Sequence, residues 1–70
     1  MMSIGEKIKE LRIEKGLSQM RLAKIIGVSQ KAIDYWERGI NEPKASYIIA
    51  LVKTFELSFD EFFYDIIKNG

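Results

Sequence analysis

The ionisable side chains are where this sequence can do chemistry, and they are unevenly placed. Residues 1–39 hold eight Lys/Arg (Lys7, Lys9, Arg12, Lys15, Arg21, Lys24, Lys31, Arg38) against five acids (Glu6, Glu10, Glu14, Asp34, Glu37), a net +3. Residues 40–70 hold three bases (Lys44, Lys53, Lys68) against five acids (Glu42, Glu56, Asp60, Glu61, Asp65), a net −2. A mildly basic front and an acidic back mark a nucleic-acid-binding face, although scattered charge produces the same asymmetry. The overall charge of +1 names no partner. Other chemistries are closed by what is missing. Without histidine there is no side chain poised near neutrality as a general base, and the commonest metal ligand is gone. Without cysteine there is no thiolate nucleophile, thiolate metal site or disulfide. No paired acidic cluster sits in an apolar setting. Catalysis, a metal site and a cofactor are therefore not expected.

Positioning these groups falls to a chain of 70 residues, room for one small domain spanning 1–70. A chain this short buries only about 60% of the surface its unfolded form exposes, too little for a large enzyme cleft. Its 47% apolar content supplies a compact core, and its 30% charged content a wet surface, which excludes disorder. The longest near-apolar stretch, Ala45 to Val52, includes Ser46 and falls well short of the roughly 20 residues of a spanning helix, so no membrane partner is expected. The start, Met1-Met2-Ser3-Ile4-Gly5-Glu6-Lys7, has no secretory apolar stretch. With the lack of cysteine, this points to a soluble cytoplasmic chain.

Glycine and proline cut the sequence into short helical pieces. Ser3-Ile4-Gly5-Glu6 is a capping box, and Ile4, Ile8 and Leu11 recur along one helical stripe that Gly16 terminates. Ser18 opens a second segment with Leu22, Ala23 and Ile26 on one face, stopped by Gly27. A third opens at Ser29, buries Ile33 and Trp36, and ends at Gly39. Pro43 marks a fourth start, since proline suits the first helical turn, with Ile48, Leu51, Val52 and Phe55 inward. A second capping box, Ser58-Phe59-Asp60-Glu61, opens the last segment, whose inner stripe is Phe59, Phe62 and Ile66. No sustained period-two alternation and no hairpin turn joins two apolar runs, so the fold is all-α, five helices around one core.

Between Ser18 and Gly39, two short helices meet across a tight turn of Gly27, Val28 and Ser29. Helices joined this way cross steeply, as in a helix-turn-helix, although an ordinary helical hairpin has the same spacing. More specific is the whole run Leu11-Arg12, Lys15-Gly16-Leu17-Ser18-Gln19, Leu22-Ala23, Gly27-Val28-Ser29, Ile33, Trp36-Glu37-Arg38-Gly39 and Pro43. This run resembles the Cro/repressor-type (xenobiotic-response-element-like) helix-turn-helix family of bacterial and phage transcription regulators. The resemblance continues through Phe55-Glu56-Leu57-Ser58-Phe59-Asp60-Glu61-Phe62-Phe63 and so covers nearly the whole chain.

The resemblance implies a five-helix, lambda-repressor-like domain that binds double-stranded operator DNA, most simply as a repressor. Its third helix would lie in the major groove, which is about 12 Å wide and admits one helix. Gln30, Lys31, Asp34, Tyr35 and Arg38 then face outward. Gln30 is the best base reader, because its amide pairs bidentately with adenine; Lys31 suits guanine or a phosphate, and Tyr35 a thymine methyl or a phosphate. Asp34 is repelled by phosphates, so it either accepts from cytosine N4 or points at Lys31 or Arg38. Backbone contacts fall to Ser18, Gln19, Ser29, Arg38, Asn41 and Lys44. Lys44 departs from the family, which more often places a small hydroxyl or an acid after this proline, and Glu56 stands where a glycine often ends the fourth helix. Arg12 and Glu37 match a partly buried ion pair of the family that ties the first helix to the third. Ile13, Met20 and Ile25 occupy positions that the family usually makes polar.

Two further expectations concern partners. One reader helix makes few base contacts, so a symmetric homodimer is expected. Six large apolar residues crowd the last segment, more than one face can bury, which leaves Phe63 and Ile67 as a second, outward stripe for the partner copy. The alternative function is a protein-interaction module on the same fold, an antitoxin or anti-regulator. The expected location is the cytoplasm of a bacterial host, on a bacterial or phage gene product, nucleoid-associated when bound. With no effector domain in view, an inducer or switch is expected to act from outside these residues.

Overall fold

A computed structural model describes residues 2–67. It contains α1 (Ile4–Glu14), α2 (Gln19–Ile26), α3 (Gln30–Glu37), α4 (Ala45–Thr54) and α5 (Phe59–Ile67), with no strand among the described residues. Lys68 lies outside them.

Each start has a local cause. Ser3 Oγ accepts from the Glu6 amide at 3.1 Å while Glu6 Oε1 accepts from the Ser3 amide at 2.8 Å, the reciprocal box its spacing predicts. Ser58 and Glu61 repeat it at 3.1 and 2.8 Å. Helix α4 is the exception. Pro43 is not in its first turn but lies outside it, buried, and Lys44 is the N-cap, with no side-chain cap hydrogen bond. A lysine side chain has no acceptor to offer the orphan amides, so this helix starts uncapped. Helix α4 ends at a non-glycine residue in the left-handed region, Glu56 at φ +58°.

The core gathers Ile8 and Leu11 from α1, Leu22 and Ala23 from α2, Ile33 and Trp36 from α3, Leu51, Val52 and Phe55 from α4 and its end, and Phe62 from α5. Helix α1 packs closely on the end of α3: a Cβ built on Gly5 would overlap the Trp36 carbonyl oxygen and lie 3.1 Å from that of Glu37. This is a position for glycine because backbone meets backbone there.

One inward assignment is overturned. Phe59 is 49% exposed rather than part of the inner stripe, and α5 seats itself through Phe62, with Phe63 and Ile66 half-buried against the core. Phe59 and Phe62 lie three residues apart, and α5 turns the Phe62 edge of its stripe to the core while Phe59 stays outside. Lys7, buried on α1, reaches across to α5 and donates to Asp65 at 2.9 Å and to Glu10 at 3.2 Å. Its hydrogen bond to Asp65 raises the ammonium pKa above the ordinary lysine value.

Candidate nucleic-acid interface

The turn between α2 and α3 depends on Gly27, whose φ of +86° is left-handed and closed to most side chains. Its amide and that of Val28 both donate to the Ala23 carbonyl, at 2.8 and 3.0 Å, which ends α2 sharply. Ser29 Oγ then accepts from the Ala32 amide at 3.1 Å and starts α3; Ser18 Oγ does the same for Arg21 at 3.0 Å and starts α2. Both hydroxyls spend acceptor capacity on their helices and keep an O–H that can donate outward.

Ile33 and Trp36 anchor α3 in the core, which turns the opposite side outward. Helical spacing sorts that side into two stripes, Gln30–Asp34–Arg38 and Lys31–Tyr35. Gln30, Lys31 and Arg38 are exposed, and Asp34 and Tyr35 are half-buried. The Lys31 ammonium stands 5.4 Å from the centre of the Tyr35 ring, a cation–π distance. Beside this face opens a cleft of about 570 Å³ that brings together Ser29, Lys31, Tyr35, Asn41 and Lys44. Trp36 and Tyr47 share its wall, their ring centroids 5.6 Å apart. Gln30, Ser18, Gln19 and Arg38 do not line this cleft. No spacing rule singles out Tyr47, which the loop brings to the cleft from the first turn of α4.

Behind the face runs a chain of polar contacts. Arg12 donates to Glu37 twice, from Nε to Oε2 at 2.6 Å and from Nη2 to Oε1 at 3.1 Å, and its Nη1 donates to the Leu17 carbonyl at 2.8 Å. The Glu37 side chain is 3% exposed and that of Arg12 12%. Gln19 Nε2 donates to Glu37 Oε1 at 3.1 Å and to Asp34 Oδ1 at 3.4 Å. Arg38 Nη1 donates to Asp34 Oδ2 at 2.9 Å. That bond, and secondarily the one from Gln19, holds the Asp34 carboxyl below its ordinary pKa. Gln19 thus ties α2 to α3 with its side-chain amide, a role its sequence position does not reveal because its partners lie 15 and 18 residues away. Its backbone amide, at the start of α2, donates to no described group.

At the far side, Phe63 packs edge-on against Phe62 with centroids 5.1 Å apart, while Ile67 is 66% exposed. Phe59, Asp60, Phe63, Tyr64 and Ile67 line a shallow groove there, so Phe59 extends the outward stripe of Phe63 and Ile67 by one turn.

The profile of the family described as helix-turn-helix matches residues 8–62. A transcriptional regulator of the helix-turn-helix type from Rickettsia prowazekii is 33% identical over 60 residues, covering 86% of this chain and 46% of that protein. The repressor protein C2 of Salmonella phage P22 is 39% identical over 57 residues, covering 81% of this chain and 26% of the repressor. The chain therefore spans less than half the length of these two curated relatives. The crystal structure of the P22 c2 repressor in complex with a synthetic operator is similar at a TM-score of 0.81 and 35% identity, over 89% of this chain and 94% of that one. The five helices form a lambda-repressor-like fold. A profile match over most of the residues, a turn built on left-handed Gly27 and a shared fold lead to one assignment: this chain belongs to the helix-turn-helix family.

Proposed function

We propose that this chain is a sequence-specific, double-stranded-DNA-binding transcriptional regulator that acts as a repressor by occupying an operator. The observation that carries the reading is the outward face of α3: Gln30 and Lys31 stand exposed at its start, on a fold shared with a repressor whose structure holds operator DNA. With α3 in the major groove, Gln30 reads adenine through its two-way amide, and Lys31 and Tyr35 read an adjacent base or touch the backbone. The cleft beside it offers Lys44, Asn41 and the Ser29 hydroxyl to one phosphate strand. Ser18, the Gln19 backbone amide and Arg38 serve the other side. Nothing in this reading calls on a metal, a cofactor or a catalytic step. Among the described residues no helix is long and apolar enough to cross a membrane, which fits work on the chromosome in the cytoplasm.

The working unit of this proposal is a homodimer. Two reader helices about 34 Å apart meet successive major grooves, and the exposed Ile67, Phe59 and Tyr64, with the half-buried Phe63 between them, supply an apolar surface away from α3. Selection of bound duplexes from a random pool, followed by fluorescence anisotropy, tests the whole reading. The expected result is a preferred duplex with two half-sites, whose affinity falls steeply with salt. Gln30→Ala should lose discrimination at one or two base pairs, by about 1–3 kcal/mol. Sedimentation of Phe63→Glu should show one copy on a duplex that takes two of the wild type. No preference over random DNA refutes the regulator reading, and two copies of Phe63→Glu bound as readily refute the interface.

A further inference from the structure

The outward stripe of α3 contains one residue of the wrong sign for a surface that meets phosphates. Asp34 lies one helical turn from Gln30 and one from Arg38, with its side chain 34% exposed. Its two oxygens are not idle. Oδ2 accepts from Arg38 at 2.9 Å and Oδ1 from Gln19 at 3.4 Å. Both donors belong to residues that flank the reader face, so the Nη1 that serves Asp34 is not offered to a phosphate, and the Arg38 charge is offset by a carboxylate at 2.9 Å. Glu42, the acid of the neighbouring cleft, is exposed and forms no ion pair with a described residue, so it holds no cation back. Among the described residues, Asp34 is the acid that ties the base-reading stripe to the backbone-binding Arg38.

We propose that Asp34 is a specificity-determining residue that withholds Arg38 from DNA until a base offers its carboxylate an amino group in exchange. The inference rests on the DNA-binding reading above. On a random sequence, swinging the whole Arg38 guanidinium onto a phosphate takes Nη1 from the carboxylate, which is then left charged among phosphates with only the Gln19 amide as donor. On a matching sequence, an exocyclic amino group in the major groove donates to Asp34, with cytosine N4 the better fit, and Arg38 is released to the backbone. Asp34 therefore weakens binding everywhere and weakens it least where the base is right. Specificity arises from penalising the wrong partner.

The variant Asp34→Asn keeps the size of the side chain and removes its charge. Anisotropy titrations of wild type and variant, on the selected duplex and on a random one, are read between about 50 and 200 mM salt. The variant should bind the random duplex more tightly at low salt. It should also gain about one phosphate contact, so its affinity falls about threefold further across that range. The selected duplex should gain less, which lowers the ratio between the two. Arg38→Gln should then cost random-duplex affinity several-fold more in the Asp34→Asn background than in the wild type, where Asp34 holds Nη1 and offsets the charge. An unchanged ratio, or an equal cost of Arg38→Gln in both backgrounds, in a protein that does prefer the selected duplex, overturns the exchange alone. A wild type with no preference overturns the regulator reading and the exchange together.

Discussion

Removal of Arg12 is expected to cost more than any exposed charge in the molecule. The Glu37 side chain is only 3% exposed, and it accepts three hydrogen bonds, two of them from Arg12. Arg12→Met leaves that carboxylate inside with a single neutral donor, Gln19 Nε2 at 3.1 Å, and strips the Leu17 carbonyl of its guanidinium partner. Breaking a buried pair from one side costs about 3–5 kcal/mol, whereas losing an exposed pair costs below about 1 kcal/mol. For a domain of this size, total stability is on the order of 4–10 kcal/mol, so the variant should lose from about a third to all of it. The double variant Arg12→Met, Glu37→Met removes both charges and leaves only methylene-rich side chains, and should recover at least about 2 kcal/mol relative to the first. Urea melts followed by far-ultraviolet circular dichroism measure all three, with an unchanged slope confirming a two-state comparison. A loss below about 1 kcal/mol for Arg12→Met, with no recovery in the double variant, would mean that the two charges contribute as surface groups, and that the pair does not hold α3 in place.

Gly5→Ala should lower stability by about 2 kcal/mol or more in a thermal melt: overlap with the Trp36 carbonyl outweighs the roughly 1 kcal/mol of helix propensity that alanine gains. A melting temperature at or above that of the wild type would refute the close contact of α1 with α3. Glu56→Gly should stabilise by about 0.5–1 kcal/mol, because relief at φ +58° exceeds the loss of an exposed 3.0 Å pair with Lys15; a lower melting temperature counts against it. Lys44→Ser should separate stability from binding. A hydroxyl cap on α4 adds about 1 kcal/mol to the unfolding free energy. The salt dependence of DNA binding should become shallower by about 0.9 per decade as one phosphate contact is lost. Tighter DNA binding by that variant would remove Lys44 from the interface.

Much of this protein is determined by local chemistry that the sequence displays directly. Ser3 with Glu6 and Ser58 with Glu61 are capping boxes in any context, because both partners lie within one turn. Gly27 follows from the need for a left-handed residue between two helices, and the buried faces of α1 to α4 follow from helical spacing. The outward set on α3 is legible for the same reason: placing Ile33 and Trp36 inside leaves Gln30, Lys31 and Arg38 outside. Tertiary structure alone decided what depends on how the helices cross. The overlap at Gly5, the reach of Lys7 to Asp65 and the double role of Gln19 each join residues far apart in the chain, and no period encodes them. Phe59 shows the limit most plainly. Its spacing from Phe62 and Ile66 fits an inner stripe, but α5 packs through Phe62, so the Phe59 side chain is exposed and lines the outer groove with Phe63. A helix's apolar stripe is a property of one segment, whereas burial requires a second surface at the right distance, and only the packing of all five helices supplies it.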